Sequence, residues 1–310
     1  MKALVGYTGF VGSNIAAAGK FDALYNSKNI ADAYGTNPDL LVYAGVYAEK
    51  YLANHTPEKD MACILQAEDN IRKINPGQIV LISTVDVFKI PRNVDETSGI
   101  DTVGLHPYGY NRYQLELWVR EHYPDALIVR LPGLFGRNLK KNFIYDYIHR
   151  IPSMLSEEKI HALAETEPEI KKFYPFRANG FYKVNVKAKE RKRLKELFKK
   201  CGFSALNFTD SRSIYQFYNL AYLWKDIQTA LKAGIRLLHL ATEPISAGEL
   251  YEYLTGEKFA NEISKTPACY DYKTIHNVTY GGSRGYIRDK EQVLDDIRTF
   301  VAGEGHEEMD

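Results

Sequence analysis

Residues 1 to 12 read Met1-Lys2-Ala3-Leu4-Val5-Gly6-Tyr7-Thr8-Gly9-Phe10-Val11-Gly12, and the reading of that stretch decides the fold. Ala3 to Val5 has the composition of a short strand, glycines follow at 6, 9 and 12, and Ser13-Asn14-Ile15-Ala16-Ala17-Ala18 has that of a helix start. A phosphate-binding turn needs this order. Glycine permits the tight reversal and lets the backbone approach a pyrophosphate, which then rests on unpaired N–H groups at the positive end of a helix. Gly9 and Gly12 are expected to carry the close approaches. The spacing is G-x-x-G-x-x-G, a departure from the general dinucleotide pattern G-x-G-x-x-G.

Working outward, Phe21-Asp22-Ala23-Leu24-Tyr25 reads as a second strand ending in Asn26-Ser27-Lys28. NAD-binding folds usually place a carboxylate there for the ribose, and none is present. Ser27 and Lys28 suit a 2′-phosphate, which gives a mild preference for NADP over NAD. Asp39 to Gly45 is a continuous apolar run closed by small residues, as in a strand buried on both faces of a parallel sheet, and its small end can lie under a cofactor. Met61, Ile64, Leu65, Ile71 and Ile74 recur at helical spacing after Pro57, and Asn75-Pro76-Gly77 stops that helix before a strand at Ile79 to Ile82. A helix from Tyr108 to about His122 leads into a last strand at Ala126 to Leu131.

The alternation implies an α/β fold, a doubly wound Rossmann-type parallel sheet over residues 1 to 135. Residues 136 to 310 are expected to form a smaller, mostly helical substrate domain, with parts of 213 to 242 packing back on the sheet. Gly303 to Asp310 look frayed.

Composition narrows the partners. A chain of 310 residues, 45% apolar and with a formal net charge of +1, can build proper cores and has no general attraction to a nucleic acid polymer. The basic run Lys183 to Lys200 also carries Glu190, Glu196, Leu194, Leu197 and Phe198, which reads as a solvated helix face. Three isolated cysteines and scattered histidines suit a reducing compartment and no metal site. No apolar run approaches the roughly 18 residues of a membrane span. The first residues are better explained as strand and turn than as a signal peptide, and the cytoplasm is the expected location.

Two further stretches carry chemistry: Ile82-Ser83-Thr84-Val85-Asp86-Val87-Phe88 and Tyr108-Gly109-Tyr110-Asn111-Arg112. With the glycine turn, they resemble the extended short-chain dehydrogenase/reductase family, which includes sugar-nucleotide epimerases, dehydratases and reductases. The resemblance covers most of the chain but is close only in the first half. It implies a cofactor, NAD(P), held by Gly6, Gly9, Phe10, Val11, Gly12, Asn26, Ser27, Lys28, Ala44, Gly45, Val46 and Ser83, with Tyr108 and Arg112, and passed by Pro132, Gly133 and Leu134. It implies Thr84, Tyr108 and Arg112 as catalytic residues. It further implies a nucleotide-sugar substrate met by Thr84, Asp86, Asn142 and Gln216, and a possible homodimer.

Tyrosine has an ordinary pKa of about 10, so a catalytic tyrosine needs a nearby positive charge. Arg112, four residues on, shares a helix face with Tyr108. The family has lysine there, and arginine is bulkier with a differently directed fork, so the exchange is not conservative. Thr84 matches the family's serine or threonine that hydrogen-bonds the substrate oxygen, with Ser83 as runner-up. Val85-Asp86 replaces the dehydratases' Asp-Glu pair, which disfavours elimination of water. Thr84 to Phe88 resembles the reductases' Thr-x-x-Val-Phe, and epimerases fit nearly as well. Asn142 equally suits a plain helix start. The rival is a non-catalytic NAD(P)-binding sensor or scaffold on the same fold, with Arg112 turned into an ion pair such as one with Glu116.

Overall fold

Short strands with both neighbouring side chains buried can only lie in a sheet covered on two faces. The structure, a computed structural model, describes residues 1–177 and 180–307. Its elements begin β1 (Lys2–Val5), α1 (Phe10–Ala18), β2 (Ala23–Tyr25), β3 (Leu40–Tyr43), α2 (Lys50–His55), α3 (Pro57–Ile74), β4 (Gln78–Thr84), α4 (Pro107–His122) and β5 (Leu127–Leu131). They continue with β6 (Gly133–Phe135), α5 (Phe143–His149), β7 (Met154–Ser156), α6 (Glu157–Thr166), β8 (Phe181–Lys183) and α7 (Ala188–Lys200). The last are β9 (Ile214–Tyr215), β10 (Phe217–Asn219), α8 (Leu223–Lys232), β11 (Leu237–His239), β12 (Ile245–Ser246), α9 (Ala247–Thr255) and α10 (Lys290–Glu307).

Six strands pair in parallel in the order β11-β5-β4-β3-β1-β2. Leu4, Val42, Val80 and Val129 bury one face against Ile15 of α1 and Leu223 and Ile227 of α8. Ala3, Val5, Leu41, Ile79 and Ile128 bury the other against Ile64, Ile71 and Ile74 of α3 and Leu115 and Val119 of α4. This is the doubly wound sheet. The chain leaves β1 toward β2 and returns to β3 on the other side, so the strand order reverses between β1 and β3. Ligands of such sheets bind outside the carboxyl ends at that point.

The chain divides into two units. The first holds residues 1–139, 214–245 and 268–297; the second holds 140–213, 246–267 and 298–310. The first stretch of the first unit runs to residue 139, and the chain re-enters that unit twice. The second return has no periodic apolar pattern, yet it seats Tyr272 fully buried against Val85 and Ala241.

In the second unit, α7 faces inward with Leu194, Leu197 and Phe198 against Ile160, Ile170 and Tyr174, leaving its lysines outside. Asn142 caps α5 by accepting from the Tyr145 N–H at 3.0 Å. Gly303 to Glu307 continue α10 rather than fraying, and the rest of that expected frayed end lies outside the described residues.

Candidate active site

The glycine turn is shaped by two of its three glycines. Gly6 ends β1 with φ +90°, and a Cβ there would stand 2.3 Å from the Ala44 carbonyl oxygen; one on Gly12 would stand 2.1 Å from the Gly6 carbonyl oxygen. Within the fold itself the tight backbone contacts are therefore those of Gly6 and Gly12. Gly9 has ordinary extended dihedrals (φ −77°, ψ 169°), and a Cβ there would meet only the Gly6 carbonyl oxygen, at 3.3 Å. Gly9 is also the N-cap of α1, and no side chain caps that helix end. As at any helix start, the first-turn N–H groups lack partners within the helix, and the positive end of the helix dipole lies at them.

Gly6, Ala44, Thr84 and Pro132 follow or close the adjacent strands β1, β3, β4 and β5, and so line one edge of the sheet. Three strand spacings separate the outer two, about 15 Å. Phe10 and Val11 open α1, and Gly45 and Val46 follow β3 directly. Asn26 closes a turn after β2: its Oδ1 accepts from the Lys28 N–H at 2.8 Å, which leaves the side chains of Ser27 and Lys28 exposed. Gly133 and Leu134 enter β6 beside β10.

Tyr108 opens α4. Its N–H donates to Asn54 Oδ1 at 3.0 Å, and Gly109 lets the helix lie against the turn after β4, since a Cβ there would stand 2.0 Å from the Asp86 carbonyl oxygen. That contact brings Tyr108, only 9% exposed, to the Thr84 hydroxyl, which favours the ionised phenol. Thr84 also accepts from the Asp86 N–H at 3.1 Å. Ser83, the runner-up, points to the opposite face and donates to Glu116 at 2.5 Å. Thr84 is thus the hydroxyl left beside Tyr108.

Arg112 lies on the face of the Tyr108 ring, its guanidinium carbon 4.0 Å from the ring centroid. Nη1 pairs with Asp60 of α3 and Nη2 donates to the Tyr47 carbonyl. Asn111 donates to the same Asp60 carboxylate at 2.8 Å. The suggested partner Glu116 is instead held by Arg130, through Nε at 3.0 Å and Nη2 at 2.6 Å. Burial pushes the Tyr108 phenol above its ordinary value; Arg112 and Thr84 pull it back, and Asp86 and Asp60 push it further up.

Asp86 sits beside Tyr108 with Lys50 at 3.0 Å and the Tyr270 hydroxyl at 3.2 Å. Gln216 is 1% exposed and donates to the carbonyls of Thr242 and Tyr272 at 2.6 and 2.9 Å while accepting from the Tyr272 N–H at 3.0 Å. Its amide is spent on holding the two returning segments. Sequence reasoning missed Asp60, Lys50, Asn54 and Tyr270, none of which lies in a recognisable motif. It also missed a buried string in which Arg130 reaches His239 Nε2 at 3.2 Å and the His239 N–H donates to Glu96 at 2.7 Å.

Among the described residues no group of three or more His, Cys, Asp or Glu could hold a metal ion, and the cysteines are free. Among the described residues no helix is long and apolar enough to cross a membrane. No protein-family model matches the sequence. No curated protein matches it either.

Solved structures do match. A dTDP-4-dehydrorhamnose reductase from Bacillus anthracis in complex with NADP is 15% identical over 96% of each chain, with a TM-score of 0.61. A UDP-N-acetylglucosamine 4-epimerase from Methanobrevibacter ruminantium in complex with UDP-N-acetylmuramic acid is 12% identical over 97% of this chain and 96% of its own, with a TM-score of 0.61. A short-chain dehydrogenase/reductase superfamily protein from Agrobacterium tumefaciens with bound NAD is 13% identical over 100% of this chain and 98% of its own, with a TM-score of 0.61. The chain shares its fold with this reductase, this epimerase and this short-chain dehydrogenase/reductase superfamily protein.

Proposed function

We propose that the chain is an NAD(P)-dependent oxidoreductase or epimerase acting on a sugar nucleotide, with Tyr108 as the acid and base. The observation that carries this reading is the alignment of the glycine turn, Thr84 and Tyr108 along one carboxyl edge of the sheet. Gly9 supports the cofactor directly. Its dihedrals admit any residue and a Cβ there would meet one tight neighbour, the Gly6 carbonyl oxygen at 3.3 Å, so a pyrophosphate resting on the first turn of α1 is a further reason for a glycine there. The neighbours crystallised with NADP and NAD, and those named as reductase and epimerase, favour the same reading.

NAD(P), bound along this edge, supplies hydride chemistry at a ring carbon of the sugar. Tyr108 gives a proton to the carbonyl oxygen on reduction and takes it back on oxidation, while the Thr84 hydroxyl holds that oxygen in line. Arg112 keeps a positive charge beside the phenol, and its N–H groups not used by Asp60 and the Tyr47 carbonyl would serve ribose hydroxyls. Asp86 is a proposed substrate contact. The exposed Ser27 and Lys28 favour NADP. Leu65, Tyr110 and Leu117, exposed on α3 and α4, favour a homodimer, which sedimentation equilibrium tests.

The pairing of Arg112 with Asp60 and the Tyr47 carbonyl favours the rival reading, a binding protein without chemistry. Oxidation of NADPH over a panel of keto-sugar nucleotides separates the two. Turnover in the parent that disappears in Tyr108→Phe while NADPH still binds is expected. Turnover that survives Tyr108→Phe defeats the mechanism, and none in the parent leaves the sensor or scaffold.

A further inference from the structure

Two carboxylates face Tyr108 from different elements, and each is held by one cation. Asp60 takes Arg112. Asp86, in the turn after β4, takes Lys50, the first residue of α2, and both Lys50 Nζ and the Tyr270 hydroxyl meet the same oxygen, Oδ1. Asn54, one helical turn beyond Lys50, receives the Tyr108 N–H. α2 is thus fastened at both ends to the start of α4 and the turn beneath it.

We propose that Lys50 is a positioning residue of the Tyr108 site: acting through Asp86, its ammonium group cancels the carboxylate charge that stands beside the reacting hydroxyl. The inference rests on the proposed reading of Tyr108 as acid and base. In the family pattern a single lysine, four residues after the tyrosine, carries the positive charge. Here that position is an arginine already committed to Asp60 and the Tyr47 carbonyl, and the second carboxylate needs a second cation.

The groups that act on Tyr108 come from every element around it. They are Arg112 of its own helix, His106 at the helix cap with its ring centroid 6.3 Å away, Thr84 and Asp86 from β4 and its turn, Asp60 from α3, and Tyr270 from the 268–297 segment. His106 is held low by burial first and by Lys50 next, so it is neutral at pH 7 and adds no charge. Asp86 already pushes the phenol up. Without Lys50 the Asp86 carboxylate keeps the Tyr270 hydroxyl but no ammonium partner, and its push on the phenol is met by Arg112 and Thr84. Lys50 is 41% exposed and Asp86 18%, so water screens part of the effect and the shift stays near one pH unit, about the low end for a direct partner.

The test uses the pH profile of NADPH oxidation with whichever sugar nucleotide the parent turns over. Tyr108 as proton donor sets the alkaline limb. In Lys50→Met that limb moves up by about one pH unit, and turnover at pH 7 falls several-fold with KM little changed. Lys50→Arg keeps the limb in place. Lys50→Met/Asp86→Asn returns it toward the parent position, whatever the double variant loses in substrate affinity, and stands in should the single variant fold poorly. A limb that stays put in Lys50→Met, or that remains displaced in the double variant, overturns the proposal. Absence of turnover in the parent overturns the underlying reading and takes this inference with it.

Discussion

Arg112 and Asp60 form a buried ion pair beside Tyr108, with side chains only 6% and 10% exposed. A buried pair adds little net stability as a pair, yet removing one partner strands the other charge in a low dielectric. Arg112→Met is therefore expected to lower stability by about 3 kcal/mol, and Arg112→Met/Asp60→Leu to recover most of it. Arg112→Lys keeps the charge for Asp60 but loses the fork that also reaches the Tyr47 carbonyl, so it should fall between. Urea unfolding of the four proteins checks the order. Equal loss in the single and double variants would show that packing, not charge, holds this site.

The glycines of the turn separate fold from ligand. Gly12→Ala drives a Cβ into the Gly6 carbonyl and should fail to fold or lose several kcal/mol, of the order seen for overpacked backbone contacts. Gly9→Val needs only an ordinary extended residue and a slight shift, so it should fold with near-parent melting. It should nonetheless weaken NADPH binding at least tenfold, because the branched side chain occupies the approach to the first-turn N–H groups. Fluorescence titration beside a melting curve reads both. Parent-like NADPH affinity in Gly9→Val would remove the pyrophosphate from this turn.

Legibility followed sequence separation. β1, β3, β4 and β5 were readable because each is a local apolar run, and Thr84 and Tyr108 because a strand end and a helix start fix them within a few residues. The partners of those residues were not readable. Asp60, Lys50, Glu96 and Tyr270 reach their sites only once the sheet is assembled, and no local pattern distinguishes them from surface acids, lysines or tyrosines. Glu116 shows the converse. Helix spacing offered it to Arg112, but Arg130 on β5 holds it with two hydrogen bonds, and the shorter sequence distance lost to the better geometry. Gln216, expected at a substrate, is held by three backbone groups for the same reason.

Cofactor choice rests on the end of β2. Asn26 folds the turn on itself, and the exposed Lys28 is the nearest cation in sequence to the strand end, with no carboxylate among Asn26, Ser27 and Lys28. NADPH should bind more tightly than NADH, and Lys28→Glu should reverse the order by repelling the 2′-phosphate while offering an acceptor to a ribose hydroxyl. Calorimetry with both dinucleotides measures it. NADH binding at least as tight in the parent would dispose of the preference without touching the glycine turn.

The buried string through His239 predicts an acid-sensitive fold. His239 is fully buried, receives Arg130 on Nε2 and gives Nδ1 to the Lys273 carbonyl at 3.0 Å, so the neutral ring with its proton on Nδ1 is the form that fits. Burial first, and Arg130 after it, hold its pKa below the ordinary value of about 6.5, against the opposing pull of Glu96. With the folded value depressed, the unfolded chain binds the proton first as pH falls. The stability is complete above about pH 6.5 and is lost below it as the pH moves toward the folded value, at up to about 1.4 kcal/mol per unit for one group. Carboxylates elsewhere also protonate in that range, so the useful quantity is a difference. The parent should lose more stability between pH 7 and pH 5 than His239→Gln, which cannot titrate but can still accept from Arg130. If urea unfolding shows the two losing stability in parallel, His239 does not carry the acid sensitivity.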